Sequence, residues 1–244
     1  MRRDPRCRAH LSRRLRARRC AARRSARRAP LRGPSLPLSS LKPFWRIAYA
    51  AALAGIVSGL LLTAIQQLEI APLIRQAEAF EHGTKAAAPS ILSTVAANIV
   101  LATGFALLLA AAMDFRGASG WRRGMLWGVA GYLVFFVAPA LGLPPELPGT
   151  EAAPLRDRQV WWTATVIFSA AGLGFAAFGK SIAVRALGLA LIAAPHIVGA
   201  PVPAVHGGTA PPELVRAFTR AAYLANAAFW LALGALAGGF SGKR

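Results

Sequence analysis

The chain has 244 residues, 55% hydrophobic and only 16% charged, with a formal net charge of +20. So much apolar content with so few charges excludes an ordinary soluble domain and points to membrane embedding. The charge by itself suggests nucleic acid, but it is local: residues 1–42 hold 15 Lys and Arg against one acid, Asp4, so +14 of the +20 lies there and the remainder is mildly basic.

The chain divides into a disordered Arg-rich tail over 1–42 and a transmembrane helical domain over 43–244. The tail has prolines at 5, 30, 34 and 37 and no apolar run that builds a core. Its charge suits the anionic cytoplasmic leaflet or nonspecific contact with nucleic acid, without sequence specificity. An organellar transit peptide and a functionless upstream extension are the other readings. Both cysteines, Cys7 and Cys20, lie in the tail and lack metal-site spacing. The first apolar run starts near Phe44 and is too long for a cleavable signal.

A hydrocarbon core about 30 Å thick takes about 20 apolar residues of helix. Runs at 44–68, 91–113, 124–143, 161–179 and 221–240 meet that length or approach it, and 182–199 is a shorter sixth. Small residues such as Ala54, Gly55, Ser58, Gly59, Gly234, Gly238 and Gly239 predict close helix packing. The fold class is therefore all-α, a polytopic membrane helical bundle of six, alternatively five, transmembrane helices.

The junctions alternate in charge. Glu69, Glu78, Glu81, His82, Glu146, Glu151, Asp157, His196, His206 and Glu213 fall at one set, and Arg122, Arg123, Lys180 and Arg185 at the other. The positive-inside bias puts the N-terminus and the basic junctions in the cytoplasm and the acidic ones outside. Six spans return Lys243 and Arg244 inside; five would leave them outside.

The outer ends of spans three and five are alike: Ala138-Pro139 followed by Gly142, and Ala194-Pro195 followed by Gly199. Paired helix interruptions mark transport sites in some folds, although Pro and Gly also simply end helices.

His196, near the outer end of an apolar run, is either a metal ligand or an interfacial histidine bonded to a carbonyl near Pro195. Glu78, Glu81 and His82 share one face if a helix carries them, a set suited to a borderline divalent cation or to a solvated amphipathic segment. Glu146 sits among prolines that stiffen its turn. Arg158 and Asp157 have acids nearby to pair with, and Trp161-Trp162 read as interface anchors. His206 is a weaker ligand candidate. Asn98 and Asn226 read as hydrogen-bond glue between helices. The chain contains no Walker A, His-Glu-x-x-His or Gly-x-Ser-x-Gly pattern, and no enzyme is expected.

Several segments in order resemble the predicted cobalt transporter subunit family CbtA. They are Ala-Gly-Ile-Val-Ser-Gly at 54–59, the acidic stretch ending at Glu81, Thr-Gly-Phe-Ala-Leu-Leu-Leu-Ala at 103–110, Gly-Leu-Pro-Pro-Glu-Leu-Pro-Gly at 142–149, Arg-Gln-Val-Trp-Trp at 158–162 and Pro-His-Ile-Val-Gly-Ala-Pro at 195–201. The resemblance covers about residues 44–240. It implies a multi-pass protein of the bacterial inner membrane that works with a small one-span partner, CbtB, carrying a His-rich end, and that supplies cobalt for cobalamin. The family is described with five spans; the count here is six, and the tail departs from the family pattern.

The resulting expectation is a divalent-metal uptake subunit, with Co²⁺ as the transported ion and no cofactor. Glu78, Glu81, His82, Glu146 and His196 are the candidate metal ligands at the outer mouth. A permease for an organic solute such as a corrinoid precursor and a non-transporting scaffold are the alternatives.

Overall fold

The computed structural model describes residues 42–80, 90–204 and 207–240. They fall almost wholly in the compact unit Pro43–Arg244. The helices are α1 (Lys42–Ile65), α2 (Ala71–Glu78), α3 (Ile91–Phe115), α4 (Trp121–Tyr132), α5 (Ala138–Gly142), α6 (Leu155–Phe178), α7 (Ile182–Val198) and α8 (Pro212–Phe240). A π-helical turn, Gln66–Ile70, joins α1 to α2, and a second, Leu133–Val137, joins α4 to α5.

Among the described residues five helical stretches are long and apolar enough to cross a membrane: Trp45–Glu78, Ile91–Phe115, Trp121–Gly142, Leu155–Phe178 and Pro212–Phe240. The sixth, α7, has 17 residues and so rises only about 26 Å. Its flanking residues nevertheless reach both ends of the bundle. Phe178, shortly before it in the chain, meets Arg116 and Trp127, whereas Ala200 just after it lies where a methyl on Gly142 would strike it.

Close approach of helix backbones organises the packing. In lipid the apolar driving force between helices is weak, so small residues that let backbones touch take its place. Gly124, Gly128 and Gly131 on α4 face Gly234, Gly238 and Trp230 on α8; a Cβ on Gly234 would lie 2.7 Å from Gly128 Cα, and one on Gly238 2.8 Å from Gly124 Cα. On α1, a Cβ at Gly59 would lie 2.8 Å from Ile99 Cα of α3, which runs antiparallel to it. Gly172 and Gly188 bring α6 and α7 together in the same way. Trp230 is buried at the centre, its ring stacked on Phe135 at 5.5 Å and tilted on Phe105 at 4.8 Å.

The apolar runs of the sequence underestimate several helices. Span one continues through the π turn to Glu78, α6 starts at Leu155 rather than 161, and α8 at Pro212 rather than 221. The added turns carry charges, which an apolar count rejects but which a helix emerging into the interface tolerates by pointing them outward.

The proline pairing also differs from expectation. Pro195 sits within the last turn of α7, whose helix runs regularly to Val198 and ends at Gly199 in the left-handed region, φ 88°. The π turns instead precede Ala71-Pro72 and Ala138-Pro139. In each, the alanine N–H donates five residues back, to Gln66 O and to Leu133 O. The proline ring would collide with the carbonyl four residues before it in a regular helix, and one extra residue in the preceding turn moves that carbonyl aside.

Gly234→Ile should destabilise the bundle by about 3 kcal/mol or more, because the clash is with backbone that cannot move aside. Gly104→Ala, with nothing within 4 Å of its Cβ, should leave stability unchanged or raise it by up to about 1 kcal/mol, the helix-propensity gain. Thermal unfolding of detergent-solubilised protein reads both; equal melting temperatures for the two variants would show that the glycine contact is not limiting.

Candidate functional site

The C-terminal end of α2 and the described stretches that follow α5 and α7 gather at one end of the bundle. Ala77, Leu147, Leu214 and Phe218 form one buried cluster there. Thr150 bridges to Gly208, and Glu151 N–H donates to Gly207 O at 3.2 Å. The opposite end collects the basic junctions: Gly120 N–H donates to Gly238 O at 3.0 Å, Arg116 lies 3.8 Å from the Phe178 ring centre, and Arg185 Nε donates to Gly179 O at 3.0 Å. The charge alternation read along the chain thus corresponds to two physical ends.

Glu146 occupies the stretch between α5 and α6, anchored by its buried neighbour Leu147. Arg158, on the first turn of α6, donates from Nη2 to Glu146 Oε2 at 3.0 Å. The expected pairing of Arg158 with a nearby acid is therefore present. Both line an open cleft of about 800 Å³ with Phe135, Phe136, Gln159 and Trp162.

His196 is partly buried in the last turn of α7. Its ring meets Trp161 edge-on at 5.8 Å, and its Nε2 is buried with no hydrogen-bond partner among the described residues. The Pro195 carbonyl beside it is occupied: it accepts from Trp161 Nε1 at 3.2 Å and from Gly199 N–H at 3.1 Å. His196 Nε2 makes no bond to that carbonyl. Trp161 is not an outward anchor; it is buried against His196 and Gly142. Trp162 is the partly exposed member of the pair and faces the cleft.

Glu78 is the last residue of α2 and is half-buried. The helix ends at Glu78, and Ala79 and Phe80 form a turn. Glu81, His82 and His206 lie outside the described residues. Among the described residues no three His, Cys, Asp or Glu side chains come together as a metal site. Glu78 and Glu146 share an end of the bundle through their packed neighbours Ala77 and Leu147.

One polar feature inside the bundle escaped sequence reasoning in part. Asn98 does join helices, donating to Thr63 Oγ1 at 2.9 Å and to Gln66 Oε1 at 2.7 Å. Gln66 opens the first π turn, and the Ala71-Pro72 pair after it was the available signal. Asn226 corrects its expectation: it donates to Ala222 O of its own helix, four residues back, at 3.0 Å. A short amide on a helix can reach that carbonyl without crossing to a neighbour.

The chain belongs to the CbtA family: the family model described as "Probable cobalt transporter subunit (CbtA)" matches residues 44–242. No curated protein and no solved structure matches it.

Trp161→Phe should keep the ring against His196 but remove the donor to Pro195 O, lowering stability by about 1 kcal/mol. Trp161→Ala should cost roughly 3–5 kcal/mol by also emptying a buried site. Denaturant titration in detergent separates the two; no difference between them would mean the indole body contributes nothing to this end of the bundle.

Proposed function

We propose that this CbtA-family chain is the multi-pass subunit of a bacterial inner-membrane uptake system for a divalent metal, Co²⁺, and that the imported cobalt serves cobalamin synthesis. It acts as a transport component and not as an enzyme, with the small one-span subunit CbtB as its partner. The N-terminus is cytoplasmic, and the end bearing Glu78, Glu146 and His196 faces outward.

The observation that carries this reading is the separation of charge between the two ends of a membrane-type bundle. Of the nine Asp and Glu in the chain, seven fall at the acidic junctions, and the described residues of these junctions meet at one end. The same junctions also carry Arg75, Lys85, Arg156, Arg158, Arg216 and Arg220. In sum they are close to neutral while the other junctions are basic, so a cation meets less repulsion at this end. Mixed carboxylate and imidazole donors suit a borderline divalent ion. Glu78, Glu81, His82, Glu146 and His196 are the proposed first ligands. The unpartnered His196 Nε2 favours the ligand role, since a buried imidazole nitrogen without a partner is costly unless something binds it.

A second reading, a permease for an organic solute, has one observation in its favour. A cleft of about 800 Å³ with aromatic walls is of the size that holds small molecules. It accounts less well for the grouping of acids.

Whole-cell uptake of labelled cobalt with CbtB coexpressed is the direct test. His196→Ala and Glu81→Ala should each cut the initial rate by about tenfold or more, as losing a metal ligand or its close support does. Normal uptake by both variants at wild-type protein levels would remove them from the ligand set. Accumulation of corrinoid but not of cobalt by the wild type would establish the second reading instead.

Orientation has its own test. A reporter fused after Arg244 should signal from the cytoplasm, the outcome of six crossings from a cytoplasmic start. A periplasmic signal would mean that one helix, with α7 the shortest, does not cross.

A further inference from the structure

The charged lining of the cleft beside α6 consists of Glu146 and Arg158. They come from different elements, the proline-rich stretch after α5 and the first turn of α6, and are joined by one hydrogen bond, Nη2 to Oε2. A guanidinium grips a carboxylate best with two parallel N–H groups. Here Arg158 Nε is buried with no acceptor among the described residues. The two side chains stay 31% and 27% exposed, so water screens their attraction. The contact is therefore a weak version of a pair that the same residues could make strong, and it opens onto free volume.

We propose that Arg158 is a resident cation that occupies Glu146 until a divalent metal displaces it; this rests on the reading of Glu146 as a metal ligand. The electrostatics give the exchange a direction. A divalent ion brings twice the charge of the guanidinium to the carboxylate and repels the guanidinium as it arrives. Arg158 leaves a position in which one of its N–H groups is unsatisfied, so departure sacrifices little. The cleft beside Gln159 and Thr163 gives the long side chain somewhere to go. A monovalent cation brings no more charge than the group it would replace. The pair thus sets a threshold that divalent ions pass and Na⁺ or K⁺ do not, a selectivity built from competition and not from cavity size.

The test is a Co²⁺ titration of the full-length protein in detergent by calorimetry, repeated in excess Na⁺. Arg158→Gln should tighten Co²⁺ binding by about three- to tenfold, the loss of one competing and repelling charge. Glu146→Gln should weaken it by about tenfold. In the double variant the gain from Arg158→Gln should vanish, because Arg158 acts through Glu146. Arg158→Met, which keeps the apolar stem, replaces Arg158→Gln if that variant is not monodisperse. Unchanged or weaker binding in the Arg158 variant overturns the proposal, as does a gain that persists without Glu146, which would make Arg158 a general repelling charge. Cobalt uptake by wild-type cells keeps the two claims apart. Uptake with no effect of Arg158 removes the resident-cation role alone, whereas absence of both uptake and binding removes the transport reading on which it rests.

Discussion

Everything at either end of this bundle depends on backbones meeting backbones along its middle. Helices in lipid gain little from hiding apolar side chains from one another, since the surroundings are equally apolar. What they gain is dispersion contact, which grows as the axes approach, and an approach to contact needs glycine. The α4–α8 pair uses Gly124 and Gly128 against Gly234 and Gly238, and α6–α7 uses Gly172 against Gly188. Many large apolar side chains, among them Leu101, Leu126, Ile167 and Leu189, point outward instead, where a soluble protein could not tolerate them. The glycine contacts fix helix register, and register decides which loop residues face one another at the mouth.

The mouth inherits a second constraint from proline. Each helix that runs toward the acidic end carries an Ala-Pro pair near its exit: Ala71-Pro72, Ala138-Pro139 and Ala194-Pro195. In the first two the backbone opens into a π turn just before the pair. At Pro195 the helix stays regular to Val198, and Gly199 turns the chain. The chemistry of the dipeptide is the same in all three. Distance to the helix end does not separate them, since Pro139 and Pro195 each stand three residues before the last helical residue, so the result depends on surroundings beyond the dipeptide.

That dependence separates what was legible in the sequence from what was hidden. The number of apolar runs, the charge alternation and the glycine faces all appear as local composition, and the helices and the two polar ends come from them. Helix ends such as Leu155 and Pro212 were hidden because Arg158 and Glu213 look like loop residues to an apolar count. Trp161 was hidden for another reason. A tryptophan at a membrane boundary can face lipid or protein, and only the packing of α7, with Pro195 O as acceptor, turns it inward. The π turn at Gln66 was available in principle, since Pro72 lies just beyond the first apolar run, but Pro72 had no obvious partner in the sequence comparison of spans three and five.

Counting acids also overstates what the mouth offers a cation. Glu146 is bound to Arg158, and Glu213 to Arg216 at 2.9 Å. The Glu213 pair is largely exposed, on one helix three residues apart, and strongly screened. The Glu146 pair joins two elements in a cleft and is less wet. The same two residue types therefore give a surface pair of little consequence in one case and a contact between the α5 exit and α6 in the other. A pair of the second kind changes the site when it opens, because the carboxylate and the helix turn it restrains are released together. Charge at this end is better described by which carboxylates are already occupied than by how many there are.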